Sequence, residues 1–430
     1  MQDPQPHTQS YYAASANEVS AYARLVSNVT ADVCVIGAGF TGVSTALHLV
    51  ERGYNVHVVE ANKVGWGASG RNGGELIGGL AGEKRLARFH GGNSQHNIEK
   101  MIWDMRWAGH EIIRQRVQAY GIECDLKFGY LDVAIKQRHV RDIQQELEYL
   151  ARFDYPFETR FLDAQETEQA IGTRAYRGAL LNMGNGHLHP LNLCIGEARA
   201  AAGLGTTIYE ESPVERIEYA DKPVVITATG SVTADFVVIA GNAYHFIEKR
   251  LRGHLFPVNS FVIVTEPLPE DTIRRINPRD LAVCDPNFVL EYFRLTADKR
   301  MLFGGRIRYR GSDPDFIKRR LQAKMLRIYP ELTAFAIDYA WGGTIGVTLN
   351  RVPQIGRLAP TVFYSQGYSG HGVNVTHLAG QIVADAISGT MERFDVFARI
   401  KPVVLPGAHR FANQMVALGL LYYQIKDRLG

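Results

Sequence analysis

Three glycines and one acid offer the clearest chemistry in this chain. Gly37, Gly39 and Gly42 follow the apolar run at 33–36, in which three of four residues are β-branched. Such a run suits a strand buried on both faces of a parallel sheet. Beyond the glycines, Val43, Ala46, Leu47 and Val50 are spaced as one face of a helix, and Gly53 stands where a helix would end. A second β-branched run, "VHVVE", closes the unit at Glu60. In a βαβ unit of this kind Gly37 permits a tight turn and Gly39 lets a pyrophosphate approach the backbone. Gly42 brings the helix close to its strand, while Phe40 and Thr41 open that helix, whose free N–H groups and dipole favour an anion. Glu60, with Ala61 beside it, stands where a carboxylate accepts hydrogen bonds from ribose hydroxyls; a 2′-phosphate would call for an Arg. NAD and FAD both satisfy these demands, and the segment alone does not separate them.

The next residues favour a flavin. The stretch 65–79 is glycine-rich and holds Ser69, Gly70, Arg71, Asn72, Gly73 and Gly74. Its backbone amides can approach a planar polar ring system, and Arg71 can place positive charge beside it. A nicotinamide enzyme would more often continue into another βα unit here. Late in the chain Gly370, His371, Gly372 and Val373 open a helical pattern through Val375, Leu378, Ile382 and Val383. A helix N-terminus there can face a ring edge that becomes anionic on reduction. A mid-chain strand from Asp235 ends in Gly241 and Asn242, close to where the same pyrophosphate would lie.

Candidates for chemistry beside the ring are Glu75, His254, Tyr292 and Arg294. Arg294 can clamp a substrate carboxylate through two parallel bonds or form an interface salt bridge. His187 and His189 lack further ligands nearby, so a structural role at a helix entry is expected and no metal site.

These residues need a scaffold. At 430 residues the chain is long enough for two domains. Apolar residues make up 46% and charged residues 21%, the balance of a soluble enzyme. A formal net charge of +3 with scattered Lys and Arg argues against a nucleic-acid partner. Four isolated cysteines show no ligand or disulfide spacing, which fits a reducing, cytoplasmic setting. No secretory signal is evident at the start, and no apolar run is long enough for a membrane span. Residues 94–120 and 314–329 read as amphipathic helices, the first stopped by Gly121 and the second by Pro330. "LDVAIKQ", "SFVIVTEPL", "FVLEYFRL" and "KRMLFGGRIRY" read as strands, the last two joined as a hairpin through "TAD". The expected division is one domain from 1–79, 176–244 and 336–430, and a second from 80–175 and 245–335.

Together "VIGAGFTG", "GASGRNGG", "GNGHLHPLNL", "VIAGNAY", "FRLTADKRMLFGG" and "YSQGYSGHG" give a family likeness. The chain resembles the FAD-dependent D-amino-acid-oxidase and glycine-oxidase superfamily, and within it the bacterial gamma-glutamylputrescine oxidoreductases, over nearly its whole length. The resemblance implies an α/β chain, α+β overall. A Rossmann-like, discontinuous FAD-binding domain of the glycine-oxidase type would join a discontinuous substrate domain on an antiparallel sheet. By position, Gly37, Gly39, Gly42 and Glu60 would hold the ADP half. Ser69, Arg71, Asn72 and Gly73 would line the ring and its phosphates. The backbone of Val214 would meet adenine, and Gly370, His371, Gly372 and Val373 would cover the pyrimidine edge. Covalent relatives of this superfamily carry a flavin-linked cysteine that is missing from "WGGTIGVTLNRVPQIGR", so non-covalent FAD is expected. The implied reaction oxidises the terminal primary amine of gamma-glutamylputrescine to an aldehyde. A hydride passes to flavin N5, the imine is hydrolysed, and oxygen is reduced to hydrogen peroxide. An amino-acid oxidase acting on a D-amino acid, glycine or sarcosine is the alternative.

Overall fold

Two sheets share the lining of one cavity, and the chain passes between them several times. The computed structural model describes residues 4–403 apart from 19, 90–94, 245–246, 252, 288–289 and 306–312. Ser94, the end of the expected strand at 306–309 and the tail at 404–430 lie outside the described residues.

The first sheet is built on Asn28–Ile36. Val33, Cys34 and Val35 are fully buried, as the apolar run requires of a strand covered on both faces. That strand pairs in parallel with Ser231–Ile239 on one side and Val56–Val59 on the other. The sheet extends in parallel through Val362–Gln366 and Thr207–Tyr209, with Gln354–Ala359 antiparallel at one edge. The helix Phe40–Val50 follows the first strand, and the late helix Gly372–Ile387 packs against it. Their approach is close at Gly380, where a Cβ would stand 2.6 Å from Ser44 Oγ. Both helices and the sheet share one core.

The second sheet runs in the order Ile337–Val347, Phe256–Thr265, Met301–Gly305, Glu291–Leu295, Ala282–Cys284, Lys127–Ala134, Gly178–His187 and Glu75–Leu76. Its neighbours are antiparallel except for Ala282–Cys284 beside Lys127–Ala134, which are parallel. The expected hairpin is present, with Glu291–Leu295 returning as Met301–Gly305. The helix Pro314–Ile328 covers one face of this sheet, burying Ile317, Leu321 and Met325. The other face carries Tyr292 and Cys284 into the shared cavity. Across it Gly304, Tyr292, Cys284 and Asp132 lie in register on four adjacent strands. The strands Gly178–His187 and Ile337–Val347 belong to this sheet, which therefore reaches past the expected division at 175 and 335. The helix Gln95–Ala119 ends before Gly121, whose φ of +58° suits the stop.

Candidate active site

Between the two sheets lies a cavity of about 1100 Å³. One end of it is the early glycine turn, and the three glycines there meet different steric demands. Gly37 has φ +106°, a conformation that side chains rarely adopt. A Cβ on Gly39 would stand 2.9 Å from Ser69 Oγ, and one on Gly42 only 1.8 Å from the Gly37 carbonyl oxygen. Gly42 therefore packs helix on turn and does not line the cavity, whereas Gly37, Gly39, Phe40 and Thr41 do. Ser69 Oγ accepts from the Phe40 N–H at 2.9 Å, tying the glycine-rich loop to the helix start.

Glu60 lines the cavity with Ala61 and is fixed from behind. Its two oxygens accept from the Ala38 N–H at 2.7 Å and the Asn62 N–H at 2.8 Å. Burial raises its pKa above the ordinary value, and the Ala38 and Asn62 amides oppose the shift. Each oxygen keeps a further acceptor position for a ligand hydroxyl. Val214 and Gly241 line the same end.

The loop after Glu60 forms the cavity's middle. Ser69, Arg71, Asn72 and Gly73 line it; Gly70 and Gly74 lie behind, where they let the loop fold tightly. A Cβ on Gly70 would stand 2.4 Å from the Gly65 carbonyl oxygen, and one on Gly74 2.2 Å from that of Leu188. Asn72 sets the loop's shape by donating to the Ala68 and Ser69 carbonyls and accepting from the Gly74 N–H. Arg71 donates to the Trp66 carbonyl at 2.8 Å and lies 4.3 Å over the Trp66 ring. Its pKa is lowered by burial.

At the far side Gly370, Gly372 and Val373 line the cavity at the start of the helix Gly372–Ile387. A Cβ at Gly370 or Gly372 would meet nothing within 4 Å, so the backbone there opens onto space a ligand can fill. His371 occupies the position before this helix but is not part of the lining, and its ring makes no capping hydrogen bond. Burial, with Arg351 and Arg106 adding to it, lowers its pKa to about 4.

The four candidates for chemistry separate. Glu75 and Tyr292 line the end of the cavity built by the second sheet, together with Ile77, Ser260, Cys284 and Leu290. His254 lies outside the lining, half-buried, with its pKa lowered by burial against the raising effect of a hydrogen bond to Gln354. Arg294 is a correction to the expected carboxylate clamp or interface ion pair. It is 3% exposed and absent from the lining. It donates to the carbonyls of Gly73 at 2.8 Å, Leu188 at 2.9 Å and Leu295 at 3.0 Å, and to the Tyr12 hydroxyl at 3.1 Å. Its work is to satisfy buried backbone acceptors beneath the loop. His189 caps the helix Pro190–Gly203 by accepting from the Asn192 N–H, as a helix-entry residue should.

Several lining residues carried no local signal. Gln5 reaches the cavity from the N-terminal segment, whose Pro6 carbonyl accepts from Trp66 Nε1 at 2.9 Å. Tyr368 lines it beside Thr41, their hydroxyls 2.7 Å apart. Asn242, by contrast, was expected at the end of the mid-chain strand and lines the cavity there; it has φ +46° and accepts from the Gly367 N–H at 3.0 Å, joining that strand end to the late turn.

These residues fit a flavin adenine dinucleotide. A carboxylate for ribose hydroxyls and an anion-favouring helix start stand at one end, with a glycine-rich middle and a second open helix start beyond. A parallel-sheet cradle of this kind joined to a second, largely antiparallel sheet defines a flavin-dependent oxidoreductase. The chain belongs to the FAD dependent oxidoreductase family, whose model matches residues 32–386, and its cofactor is FAD. It is 42% identical to the gamma-glutamylputrescine oxidoreductase of Escherichia coli over 426 residues, covering 99% of both chains. It is 38% identical to a probable oxidoreductase, OrdL, of Haemophilus influenzae, over 99% of this chain and 98% of that one. The solved glycine oxidase of Geobacillus kaustophilus shares the fold with a TM-score of 0.70 at 19% identity, over 87% of this chain and all of that one.

Proposed function

We propose that the chain oxidises the terminal primary amine of gamma-glutamylputrescine to the aldehyde, with oxygen as the electron acceptor and hydrogen peroxide as its product. The observation that carries this reading is the 42% identity to the Escherichia coli enzyme across 99% of both chains. Bound FAD would supply the two-electron oxidation chemistry at the carbon next to nitrogen.

The chain's own residues bind and orient. Glu60, Gly37 and Gly39 hold the nucleotide half, and Arg71, Asn72 and Gly73 hold the loop against the ring. The start of the helix Gly372–Ile387 offers N–H groups to a ring edge that gains negative charge. No cysteine stands in the stretch 341–357, and the FAD is held without a covalent bond. A free primary amine must lose a proton before oxidation, at a cost of about 4 to 5 kcal/mol at neutral pH. Apart from Glu75 and Ser260, the end of the cavity lined by Ile77, Leu290, Cys284 and Tyr292 is largely apolar, and burial there works against the ammonium form. Water then hydrolyses the imine. A cytoplasmic location accords with four buried, unbridged cysteines. Among the described residues no helix is long and apolar enough to cross a membrane.

The amino-acid-oxidising alternative needs a cation to hold a substrate carboxylate. Arg294 does not serve, since its donors point to backbone carbonyls. The test is anaerobic bleaching of the bound flavin by a panel of amines and amino acids. Rapid bleaching by gamma-glutamylputrescine and slow bleaching by glycine, sarcosine and D-amino acids is expected; the reverse order would refute the reading.

A further inference from the structure

The second sheet and the loop residues flanking its strands give the cavity Glu75, Ile77, Ser260, Cys284, Leu290, Tyr292, Gly343, Ile345 and Gly346. Among these described residues Glu75 is the only one whose side chain normally carries a charge. The backbone around it is built to deliver it. Gly74 has φ +76°, and its N–H is held by Asn72 Oδ1 at 2.8 Å. Glu75 then pairs with His187 at the edge of the second sheet. Glu75 Oε1 is buried and has no hydrogen-bond partner among the described residues. A buried carboxylate oxygen left unpaired is costly, and it persists where a ligand completes it.

The surroundings do not neutralise it. Arg294 acts on Glu75 through its charge, but its guanidinium donates to Gly73, Leu188, Leu295 and Tyr12 instead. Asp132 adds negative charge. The other titratable groups that feel Glu75 are the Tyr12, Tyr130 and Tyr292 hydroxyls and the Cys284 thiol, all pushed up by burial and so uncharged at neutral pH. Among the described residues this end of the cavity therefore offers a carboxyl oxygen without a partner and no cation hydrogen-bonded to it.

We propose that Glu75 is the specificity residue for the substrate's ammonium group, accepting its N–H as a hydrogen bond and then its proton. This rests on the amine-oxidation reading and deepens it by naming the group that selects an amine. In the step, one N–H bond of the R–CH2–NH3+ group breaks and an O–H bond forms at Glu75 Oε1. Neutral R–CH2–NH2 remains with its lone pair, and no electrons are transferred to or from the protein. Burial, against the opposing charge of Arg294 and with Asp132 adding, holds Glu75 well above the usual carboxylate range. That brings its proton affinity closer to the amine's and makes the transfer less uphill. An amine binds as its cation only to ionised Glu75, so kcat/KM should rise with pH through the Glu75 ionisation.

The test uses FAD-loaded protein and ligands that cannot be oxidised. tert-Amylamine has no hydrogen on the carbon bearing nitrogen, and tert-amyl alcohol is its neutral counterpart. Binding is read from the perturbation of the flavin absorbance. In Glu75→Gln the amine should bind about 10- to 100-fold more weakly, as befits a lost charge-assisted hydrogen bond, while the alcohol's affinity is unchanged. Glu75→Asp should recover part of the amine's affinity and retain the acid limb of the pH profile that Glu75→Gln loses. The inference is overturned if both ligands weaken equally, or if the amine's affinity in Glu75→Gln stays within about twofold of the parent's. Should gamma-glutamylputrescine fail to bleach the parent flavin while the amine still depends on Glu75, the substrate reading falls and the role of Glu75 stands.

Discussion

Replacing Glu197 by Gln should weaken the whole cofactor frame from a site outside the cavity lining. Glu197 and His377 are fully buried and Arg116 is 4% exposed. Arg116 donates to Glu197 Oε1 at 2.8 Å and to Ser44 Oγ and the Ser44 carbonyl at 3.0 and 3.2 Å. His377 Nε2 stands 3.1 Å from Glu197 Oε2. The network therefore joins the glycine-turn helix, the late helix, Gln95–Ala119 and Pro190–Gly203. Burial alone would raise the Glu197 pKa, but His377 and Arg116 outweigh it and bring the carboxyl down to about 2 from 4.5. That gap corresponds to about 3 kcal/mol of folding free energy at neutral pH. Because the folded value is depressed, this contribution is complete above about pH 4.5 and is lost as pH falls toward 2. Gln keeps the shape, removes the charge and leaves Arg116 buried without its anion, a loss of about 3–5 kcal/mol. Urea unfolding of the FAD-loaded protein, followed by flavin fluorescence, measures it. The variant should fall by that amount at neutral pH, and its deficit should shrink by about half near pH 3. An unchanged midpoint at neutral pH, or an equal deficit at both pH values, would refute the reasoning.

Other expectations follow from the same geometry. Gly42→Ala places a methyl 1.8 Å from a backbone oxygen that no rotamer change can move. It should cost about 1–3 kcal/mol or more by overpacking and lower the melting temperature by several degrees. A melt indistinguishable from the parent's, with FAD retained, would contradict this. Deleting residues 1–9 removes Gln5 from the lining and the Pro6 carbonyl from Trp66. FAD should then dissociate faster on dilution, read by the rise in free-flavin fluorescence, and an unchanged rate would exclude a covering role. Arg294→Met leaves three buried carbonyls without their donor, at about 1–3 kcal/mol each. Stability should drop while the ranking of amines over amino acids holds; a switch in that ranking would restore the clamp. Acid precipitation should leave a colourless pellet and free FAD in the supernatant, and a yellow pellet would show a covalent link.

The nucleotide end of the site was legible because its constraints are local. A strand, a turn needing positive φ, a close helix approach and an acid at the next strand's end each impose a residue type at a fixed spacing, and Gly37, Gly42 and Glu60 meet them. The substrate end was harder to read. Alternation along Glu291–Leu295 puts Tyr292 and Arg294 on one face, yet only Tyr292 reaches the cavity. What separates them is the position of Gly73, Leu188 and Tyr12, each distant in sequence. His254 failed for the same reason, since a polar residue between strands says nothing of which way it turns. Gln5 and Tyr368 belong to segments without periodic pattern near the cavity, and only the folded chain brings them there. The reach of the second sheet into 178–187 and 337–347 was hidden because buried strands of either sheet read alike.

The chain enters the first sheet, leaves for the second, and returns twice before it ends. A single cut at any of these crossings would hand each fragment a torn portion of at least one layer, with the nucleotide cradle and the niche built by the second sheet divided among the pieces. Such an enzyme is not assembled from exchangeable modules. Its substrate range has to change by substitution at the niche, residue by residue, on a frame inherited whole.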